Sequence, residues 1–331
     1  MNPQHTVRLG TRGSQLALYQ AHTVARSLAQ AGGPSCEIVI IKTSGDRLQE
    51  APLSEVGGKR MFVKEIEDAL LKGEVDLAVH SSKDMPAVLP EGLAIAGVLP
   101  REDPLDAVVL PRRAGADIDG CVDADQLVAA LGQTPSIGTS SVRRIAQLIR
   151  LMPGASFMPI RGNLDTRLRK LDSGDYDALV LAAAGLRRLG FTSRISATLP
   201  VAACVPAPGQ GIIAIEVRAG DSALQRALAA ITDGAAAAAL IAERAVVEAL
   251  GGGCQTPIGA LATAVDDDTL ELVGAVVALD GSRAVRATER GSRSSAAELG
   301  ARVAARLIEH GAGEILDETR RAQGAVEGIQ P

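Results

Sequence analysis

Aromatic side chains are scarce in this sequence, whose 331 residues include no tryptophan, two tyrosines and three phenylalanines. Proteins that bind single-stranded nucleic acids usually stack the bases on aromatic rings and attract the phosphates with an excess of positive charge. The formal net charge here is −5. We therefore expect no nucleic-acid partner, and any recognition of anions must depend on a local group of basic residues.

Cysteines are equally sparse, and the four in the chain lie far apart: Cys36, Cys121, Cys204 and Cys254. Zinc sites and small disulfide scaffolds have closely spaced cysteines, so we expect reduced thiols and no metal site. The sequence also shows no export signal at its start and no run of about 18 apolar residues that could span a membrane. These absences predict a cytoplasmic globular protein.

Apolar residues are plentiful at 47%, which is enough to fill a core in each of two or three domains. Near the start, β-branched segments alternate with segments of helical periodicity. The pattern predicts strands at Val7–Thr11, Glu37–Ile41 and Val75–His80, and helices from Ser14 to Gly32 and at Phe62–Lys72. This strand–helix–strand order is typical of a parallel sheet.

A second stretch repeats this order, and part of the repeat is literal. The sequence Gly-Thr-Arg-Gly-Ser at Gly10 is matched by Gly-Thr-Ser-Ser at Gly138, and Gly73–Val79 is matched by Gly174–Val180. Strands are predicted near Ile137, at Phe157–Ile160 and at Ala178–Leu181, with helices from Ser141 and at Asn163–Leu171. We therefore expect two similar α/β lobes with a cleft between them.

The domain boundaries follow from two changes in pattern. Pro206 and Pro208 predict a crossing back to the first lobe, where Ile212–Val217 would add a strand. Later come a predicted helix at Ala235–Leu250, strands at Ile258–Thr263 and Leu270–Leu279, a hairpin turn at Asp280-Gly281, and a helix at Ser295–His310. The expected units are a discontinuous first lobe (1–105 and 205–220), a second lobe (106–204), a small α+β domain (221–316) and a frayed tail (317–331).

Positive charge is concentrated between Ser141 and Lys170, where seven residues are basic and one is acidic. Such a run often only faces solvent, and that alternative stays open for each arginine. Arg143 and Arg144, however, open a predicted helix, where free backbone N–H groups favour anions, and Arg12 holds the matching place in the first lobe. Because a guanidinium donates two parallel hydrogen bonds to a carboxylate, we expect a ligand with several carboxylates.

The segment Val79–Pro86 leaves the carboxyl end of a predicted parallel strand, where open α/β sheets bind their ligands. Asp84 is the candidate acid or electrostatic group, and the adjacent Lys83 favours its ionised form, which suits the stabilisation of a developing cation. A surface ion pair is the alternative. His80, on the strand itself, is expected to be a core residue.

Cys254 follows three glycines after a predicted helix, so its thiol can reach out of a turn. An inert small residue in a turn is the alternative, and the other three cysteines are expected to be structural. The polar connection from Thr43 to Arg60 is longer than usual for its type, which predicts a flap over the cleft.

Seven motifs together resemble the porphobilinogen deaminase family, over nearly the whole chain from Arg8 to about Glu309. They are Gly-Thr-Arg-x-Ser-x-Leu-Ala at Gly10, Val-Gly-Gly-Lys at Val56, Val-His-Ser-x-Lys-Asp at Val79, Gly-Thr-Ser-Ser-x-Arg-Arg at Gly138, Arg-Gly-Asn at Arg161, Ala-Pro-Gly-Gln-Gly at Ala207 and Gly-Gly-Cys at Gly252. The resemblance implies two periplasmic-binding-protein-like lobes of type II plus a small α+β C-terminal domain.

The resemblance also implies a reaction: four porphobilinogen molecules are condensed head to tail with release of ammonia, on a dipyrromethane primer that Cys254 holds covalently. Water then releases the linear tetrapyrrole. The implied catalytic residues are Asp84 and Lys83, the implied cofactor contacts are Cys254, Lys83, Asp84, Thr139, Ser140, Ser141, Arg143, Arg144, Arg161 and Gly162, and the implied substrate contacts are Arg12, Ser14, Gln20, Lys59, Phe62, Arg167 and Arg188.

Two positions depart from the family pattern. Gly251 stands where an acidic residue is common, and Glu55 stands where a basic residue often occurs. A two-lobed solute-binding or sensor protein remains the main alternative, although it would need no reactive cysteine, and a nucleic-acid binder that uses the basic run is the third. The resemblance itself implies a cytoplasmic monomer whose partner is the small-molecule substrate.

Overall fold

The computed structural model describes residues 6–47, 63–112, 129–253 and 255–327 of the chain. Its strands are β1 (Val7–Thr11), β2 (Cys36–Ile40), β3 (Leu77–Ser81), β4 (Leu93–Val98), β5 (Asp106–Val109), β6 (Ser136–Gly138), β7 (Ser156–Met158), β8 (Ala178–Ala182), β9 (Ala197–Leu199), β10 (Ile213–Arg218), β11 (Ile258–Ala264), β12 (Thr269–Val277) and β13 (Ala284–Ser292).

The helices described are α1 (Gln15–Gln30), α2 (Ser44–Arg47), α3 (Lys64–Leu71), α4 (Val142–Leu148), α5 (Leu164–Asp172), α6 (Ala183–Arg188), α7 (Ser222–Ala229), α8 (Gly234–Ala249), α9 (Ala296–Glu309) and α10 (Ala312–Glu327). Short 3₁₀ turns lie at Ser82–Asp84, Thr192–Arg194 and Arg293–Ser295. Within the described ranges, none of these helices has the length and apolar character needed to cross a bilayer.

The first sheet has five strands in the order β2-β1-β3-β10-β4. β1 is parallel to β2 and β3, whereas β10 is antiparallel to both of its neighbours. α1 covers one face with Ala21, Val24 and Leu28, whose helical spacing places them on one side against Leu9 of β1. The helix begins after Ser14, whose hydroxyl accepts a hydrogen bond from the Ala17 amide, as the sequence pattern predicts.

The second sheet has five strands in the equivalent order, β7-β6-β8-β5-β9. β6 is parallel to β7 and β8, and β5 is antiparallel to β8 and β9. In each sheet the antiparallel fourth strand follows a crossing of the chain between the two sheets. The first crossing (99–105) leads from β4 to β5, and the second crossing (200–212) leads from β9 to β10. The prediction of two similar α/β lobes is confirmed, as is the strand predicted at Ile212–Val217.

The third unit is an antiparallel sheet in the order β11-β12-β13, covered by α8 and α9. The predicted hairpin turn is present, with Gly281 at a φ of 72° that a side chain would rarely adopt. The frayed tail predicted after Leu316 is wrong for the described residues, because α10 continues to Glu327. Ile315, Leu316 and Thr319 are buried on one face of α10, a short apolar stripe that the polar composition of the segment concealed.

Glu243 of α8 holds the two crossings together. Its carboxylate is fully buried and accepts hydrogen bonds from Arg101 Nη1 in the first crossing (2.6 Å) and from the backbone N–H of Gly209 in the second (2.6 Å). The N–H of Ala262 in the third unit is a further donor, at 2.8 Å. Because a buried carboxylate needs such compensation, this group fixes where the lobes and the third unit meet.

Two glycine-to-alanine changes in neighbouring helices should alter stability in opposite directions. A Cβ on Gly300 of α9 would overlap the Ala242 carbonyl oxygen and would lie 2.6 Å from the Ala245 Cβ of α8, so Gly300→Ala should lower the free energy of unfolding by about 1–3 kcal/mol. Gly313 of α10 has open space around it, and Gly313→Ala should raise the free energy by up to about 1 kcal/mol. Urea unfolding measures both, and equal effects would contradict the assigned helix contact.

Candidate active site

A cleft of about 380 Å³ lies between the two lobes, where the parallel strands of both sheets end. The first lobe lines it with residues that follow β1 and β3, namely Arg12, Ser14, Ser81, Lys83 and Asp84, and the second lobe lines it with residues that follow β6, β7 and β8, including Ser140, Arg161, Gly162, Asn163 and Arg167. A smaller pocket of about 70 Å³ adjoins it in the first lobe and is lined by Arg12, Gln20 and Asp84 among others. The expected cleft is therefore present.

Short-range hydrogen bonds explain how the second lobe presents its basic residues. The Ser140 hydroxyl donates to the Ile160 carbonyl (2.9 Å) and accepts from the Ile160 N–H (3.0 Å), which holds Arg161 beside the end of β6. Gly162 then turns the chain at a φ of 106°, and a Cβ there would overlap Thr166. Asn163 caps α5 by accepting from the Thr166 N–H.

Lys83 and Asp84 lie side by side on the 3₁₀ turn after β3, and both line the cleft. Burial lowers the pKa of Lys83 to about 8, against the opposing effect of the neighbouring Asp84 carboxylate. Lys83 Nζ donates to Gln210 Oε1 at 3.4 Å. His80 lies on β3, three residues before Lys83. Its side chain is buried and Nε2 lies 3.1 Å from Glu216 Oε2, so its predicted place in the core is confirmed.

Arg167 is a basic residue in the cleft wall that forms no salt bridge within the described part of the chain. Its Nε donates to the Gly162 carbonyl at 2.8 Å. Burial and the nearby Arg144 together lower the pKa of Arg167 to about 10, against the opposing effect of the Asp84 carboxylate. A partly desolvated guanidinium without a salt bridge is unfavourable for the stability of the fold, so this arrangement suits an anionic ligand.

Arg143 and Arg144 lie behind the cleft wall rather than among its lining residues. Both are buried on Asp106 of β5, to which they donate at 2.7 Å and 2.8 Å. Burial acts to raise the pKa of Asp106, but the two guanidinium groups outweigh it and hold that pKa well below its ordinary range. The direct ligand contacts expected of these arginines stay a prediction.

Four other expected site residues are engaged by the protein itself. Thr139 Oγ1 accepts from the Ser141 N–H at 3.3 Å, and the Ser141 hydroxyl caps α4 by accepting from the Arg144 N–H. Arg188 Nη2 donates to the Gly211 carbonyl at 2.6 Å, across the two lobes. Gln20 is buried and donates to Ser81 Oγ at 2.9 Å beside the smaller pocket. Their ligand contacts, too, remain predictions.

Three expected site residues lie outside the described residues: Cys254, Lys59 and Phe62. Residues 48–60 of the expected flap and Cys121 lie outside them as well. The turn before Cys254 contains Gly251, at the position where an acidic residue is common in the family, and its described residues are held by α10. Arg320 of α10 donates to the carbonyls of Leu250 (3.3 Å) and Gly251 (3.5 Å), so the last helix supplies the anchor.

The two described cysteines, Cys36 and Cys204, are free thiols. Burial raises the pKa of Cys36 to about 11 and that of Cys204 to about 12, so both are protonated and unreactive at neutral pH, as predicted. In the portion of the chain that the structure covers, no three His, Cys, Asp or Glu side chains form a group that could hold a metal ion.

Three residues that the sequence analysis did not select contribute to the site: Asp106, Gln210 and Asn163. Gln210 belongs to the Ala-Pro-Gly-Gln-Gly motif, from which only a crossing of the chain was predicted. Asn163 belongs to the Arg-Gly-Asn motif, and only the start of a helix was predicted there. Asp106 has no signal in the sequence, because its role depends on partners about 37 to 104 residues away that the fold brings to it.

Solved structures with a similar arrangement include proteins that are distant in sequence. The periplasmic VFT2 domain of Bordetella pertussis BvgS is 19% identical, with a TM-score of 0.40, and the match covers 68% of this chain and 86% of that chain. An ancestral cationic amino acid solute binding protein is 17% identical with a TM-score of 0.38, covering 67% and 86%. We draw no functional conclusion from these likenesses.

Comparison with sequence families and curated proteins is far more specific. Residues 7–226 match the family model described as porphobilinogen deaminase, dipyromethane cofactor binding domain, and residues 237–309 match porphobilinogen deaminase, C-terminal domain. The porphobilinogen deaminase of Syntrophobacter fumaroxidans is 44% identical over 96% of this chain and 98% of its own length. That of Moorella thermoacetica is 44% identical over 97% and 99%. The chain therefore belongs to the porphobilinogen deaminase family.

Proposed function

We propose that the chain is a hydroxymethylbilane synthase, which condenses four porphobilinogen molecules head to tail, releases one ammonia at each step and hydrolyses the finished linear tetrapyrrole from its primer. The observation that carries the proposal is the cleft wall, whose described lining residues include the basic groups Arg12, Arg161, Arg167 and Lys83 and one carboxylate, Asp84. Every porphobilinogen unit carries two carboxylates and one pyrrole N–H. The basic groups of the wall can donate hydrogen bonds to the two carboxylates, and Asp84 can accept one from the pyrrole N–H.

The same wall fits a dipyrromethane primer. Such a primer presents four carboxylates and two pyrrole N–H groups. The cleft offers guanidinium groups, the Lys83 ammonium and hydroxyl groups to the carboxylates, and it offers the Asp84 carboxylate to the N–H groups. Attached to Cys254, the primer supplies the pyrrole carbon to which the first substrate unit is joined. Arg161, Gly162, Ser140, Lys83 and Asp84 are the described residues that we assign to its binding, with Thr139, Ser141, Arg143 and Arg144 supporting them from behind.

The protein's own groups perform two tasks in this proposal. Arg12, Ser14, Arg167 and Arg188 orient the carboxylates of the incoming substrate, which lowers the entropic cost of bringing two rings together. Asp84 accepts the pyrrole N–H hydrogen bond and stabilises the positive charge that develops on the substrate as ammonia leaves. A carboxylate in a partly dry cleft is more effective here than one in water, because the local dielectric constant is lower.

We also propose that the enzyme acts as a cytoplasmic monomer with porphobilinogen as its partner. The net charge of −5 and the scarcity of aromatic residues for base stacking argue against a nucleic-acid partner, and the two described cysteines are free thiols, as suits a reducing compartment. The monomeric state is carried over from the family resemblance.

Cys254 should carry the primer, and its removal should remove the modification. The intact protein, weighed under denaturing conditions, is expected to exceed its sequence mass by a two-pyrrole adduct, and Cys254→Ser should show the bare mass and no turnover. Cys36→Ser, a free cysteine at the start of β2, is the matched control and should keep both adduct and activity. A fully active wild-type chain without an adduct would contradict the assignment.

Asp84→Asn should separate primer binding from elongation. The amide keeps the size of the side chain but removes its charge, so the adduct should remain while kcat falls by about 10²–10³-fold, the usual loss for one electrostatic group in a transition state. Steady-state turnover of porphobilinogen, combined with intact mass, measures both. Asp175→Asn, on an exposed turn of the second lobe, should behave as wild type. Normal turnover in Asp84→Asn would remove Asp84 from the mechanism.

Arg167→Met should weaken substrate binding without weakening the fold. Because Arg167 has no salt bridge among the described residues, its loss should leave the free energy of unfolding unchanged or raised. KM should rise by about 10–100-fold, the equivalent of one charge-assisted hydrogen bond of about 1.5–3 kcal/mol. Stability is best measured by urea unfolding in the Cys254→Ser background, which should carry no pyrrole.

The matched control is Arg194→Met, a buried arginine of the same lobe that donates to Asp172 at 2.7 Å. Breaking that pair should lower the free energy of unfolding by about 1–3 kcal/mol and should leave KM unchanged. If Arg167→Met destabilises the chain as much as Arg194→Met does, Arg167 is a structural residue.

A further inference from the structure

Gln210 is a fully buried residue on the second crossing that no part of the mechanism above uses. Its side-chain amide reaches three groups: Nε2 lies 2.7 Å from the Pro104 carbonyl oxygen and 2.9 Å from Asp106 Oδ1, and Oε1 lies 3.4 Å from Lys83 Nζ. Pro104 lies in the first crossing, Asp106 begins β5 directly after it, and Lys83 lines the cleft. One amide therefore links both crossings to a residue of the proposed site.

The chemistry of these partners fixes which way the amide points. A carbonyl oxygen and an ionised carboxylate can only accept hydrogen bonds, so both must face the NH₂ group. Asp106 is ionised because Arg143 and Arg144 hold its pKa well below the ordinary range. Oε1 is then left to face the Lys83 ammonium, which can only donate. Pro104 and Asp106 therefore determine the orientation of the Gln210 amide. As a consequence, its Oε1 is the atom that accepts from Lys83.

The backbone around Gln210 is built to place it there. Gly209 and Gly211 both have positive φ values, 73° and 87°. A Cβ on Gly209 would meet the Ser82 side chain, and a Cβ on Gly211 would overlap the Glu102 carbonyl oxygen. The two glycines thus allow the crossing to pass between the turn that carries Lys83 and the first crossing, with Gln210 held between them.

We propose that Gln210 is a positioning residue for Lys83: its amide, fixed by Pro104 and Asp106, holds the ammonium in the cleft wall and supplies an uncharged acceptor where a carboxylate would otherwise be expected. The inference deepens the proposed function, since it rests on Lys83 being a contact for pyrrole carboxylates. An uncharged partner leaves the charge of Lys83 available to a ligand, whereas an ion pair would neutralise it.

The prediction concerns the titration of Lys83, on which Asp84, Asp106, Arg143 and Arg144 also act. Gln210→Met keeps the shape of the side chain but removes the acceptor, so the Lys83 ammonium loses stabilisation and its pKa should fall by about one unit. Gln210→Glu places a carboxylate at the same position, so the pKa should rise by a similar amount. Opposite shifts from two substitutions of nearly equal size are not expected of a residue that only fills space.

The shifts can be measured by labelling the purified full-length proteins with acetic anhydride between pH 6 and 11 and quantifying the Lys83 peptide by mass spectrometry. Intact mass is recorded first, so that equally modified proteins are compared. Gln225→Met, a glutamine on the exposed side of α7 that donates to the Ala219 carbonyl, is the matched control and should titrate as wild type. Lys83 in the wild type is expected to titrate near pH 8.

Opposite shifts in the two variants, with a rise of about tenfold in KM for porphobilinogen in Gln210→Met, support the proposal. Identical midpoints, or shifts in the same direction, overturn it. If Gln210→Glu does not fold, Gln210→Met decides alone, because an unchanged midpoint there is enough to refute the role. If the midpoints shift as expected while the wild-type protein consumes no porphobilinogen, the positioning role stands and the proposed function fails.

Discussion

The carboxylate of Asp106 is the group on which the arrangement of the site depends. It is fully buried at the start of β5, and a buried charge is tolerated only when its lone pairs are filled by strong donors. Arg143, Arg144 and Gln210 fill them. The arginines belong to the second lobe and the glutamine to the second crossing, so satisfying one carboxylate brings together elements that are far apart in the sequence. Lys83 of the first lobe is tied to the same cluster through Gln210.

This cluster also has an electrostatic effect on the cleft. Two guanidinium groups against one carboxylate leave a net charge of +2 − 1 = +1 in a buried region behind the wall. Charges interact more strongly there than in solvent, so the excess acts on the cleft without touching a ligand. Burial is the main cause of the lowered pKa values of Lys83 and Arg167, and the positive charge of Arg144 lowers both as a smaller cause. Arg143 and Arg144 therefore favour anions in the cleft even from behind the wall. From the sequence, they were expected to act by direct contact with the ligand.

The sequence predicts the local elements of this fold well and the long-range ones poorly. The signals for these local elements lie within their own segments: helical periodicity and a cap for α1 and α8, and turn residues for the hairpin between β12 and β13. The observed bounds of each element lie within about two residues of the predicted ones. β9 has only three residues, too few to show the alternation of apolar and polar residues that is typical of a strand. The burial of α10 depends on contacts with the rest of the third unit, which the sequence of the helix does not show. For the site, motifs that follow strands identified Lys83, Asp84 and Arg161 as neighbours. The division between arginines in the wall and arginines behind it could not be predicted, because it is decided by Asp106, whose partners only the fold reveals.

The third unit is more than a carrier for the Gly-Gly-Cys turn, because the helix that leads into this turn also clamps the crossings. Glu243 lies in the middle of α8 and binds Arg101 and the Gly209 N–H, while α8 ends at Ala249, about 9 Å further along at 1.5 Å per residue. An α-helix of this length is stiff, so the start of the turn cannot move far from the crossings without breaking a buried ion pair. A relative motion of the two lobes that preserves this ion pair would therefore have to pivot at the clamp.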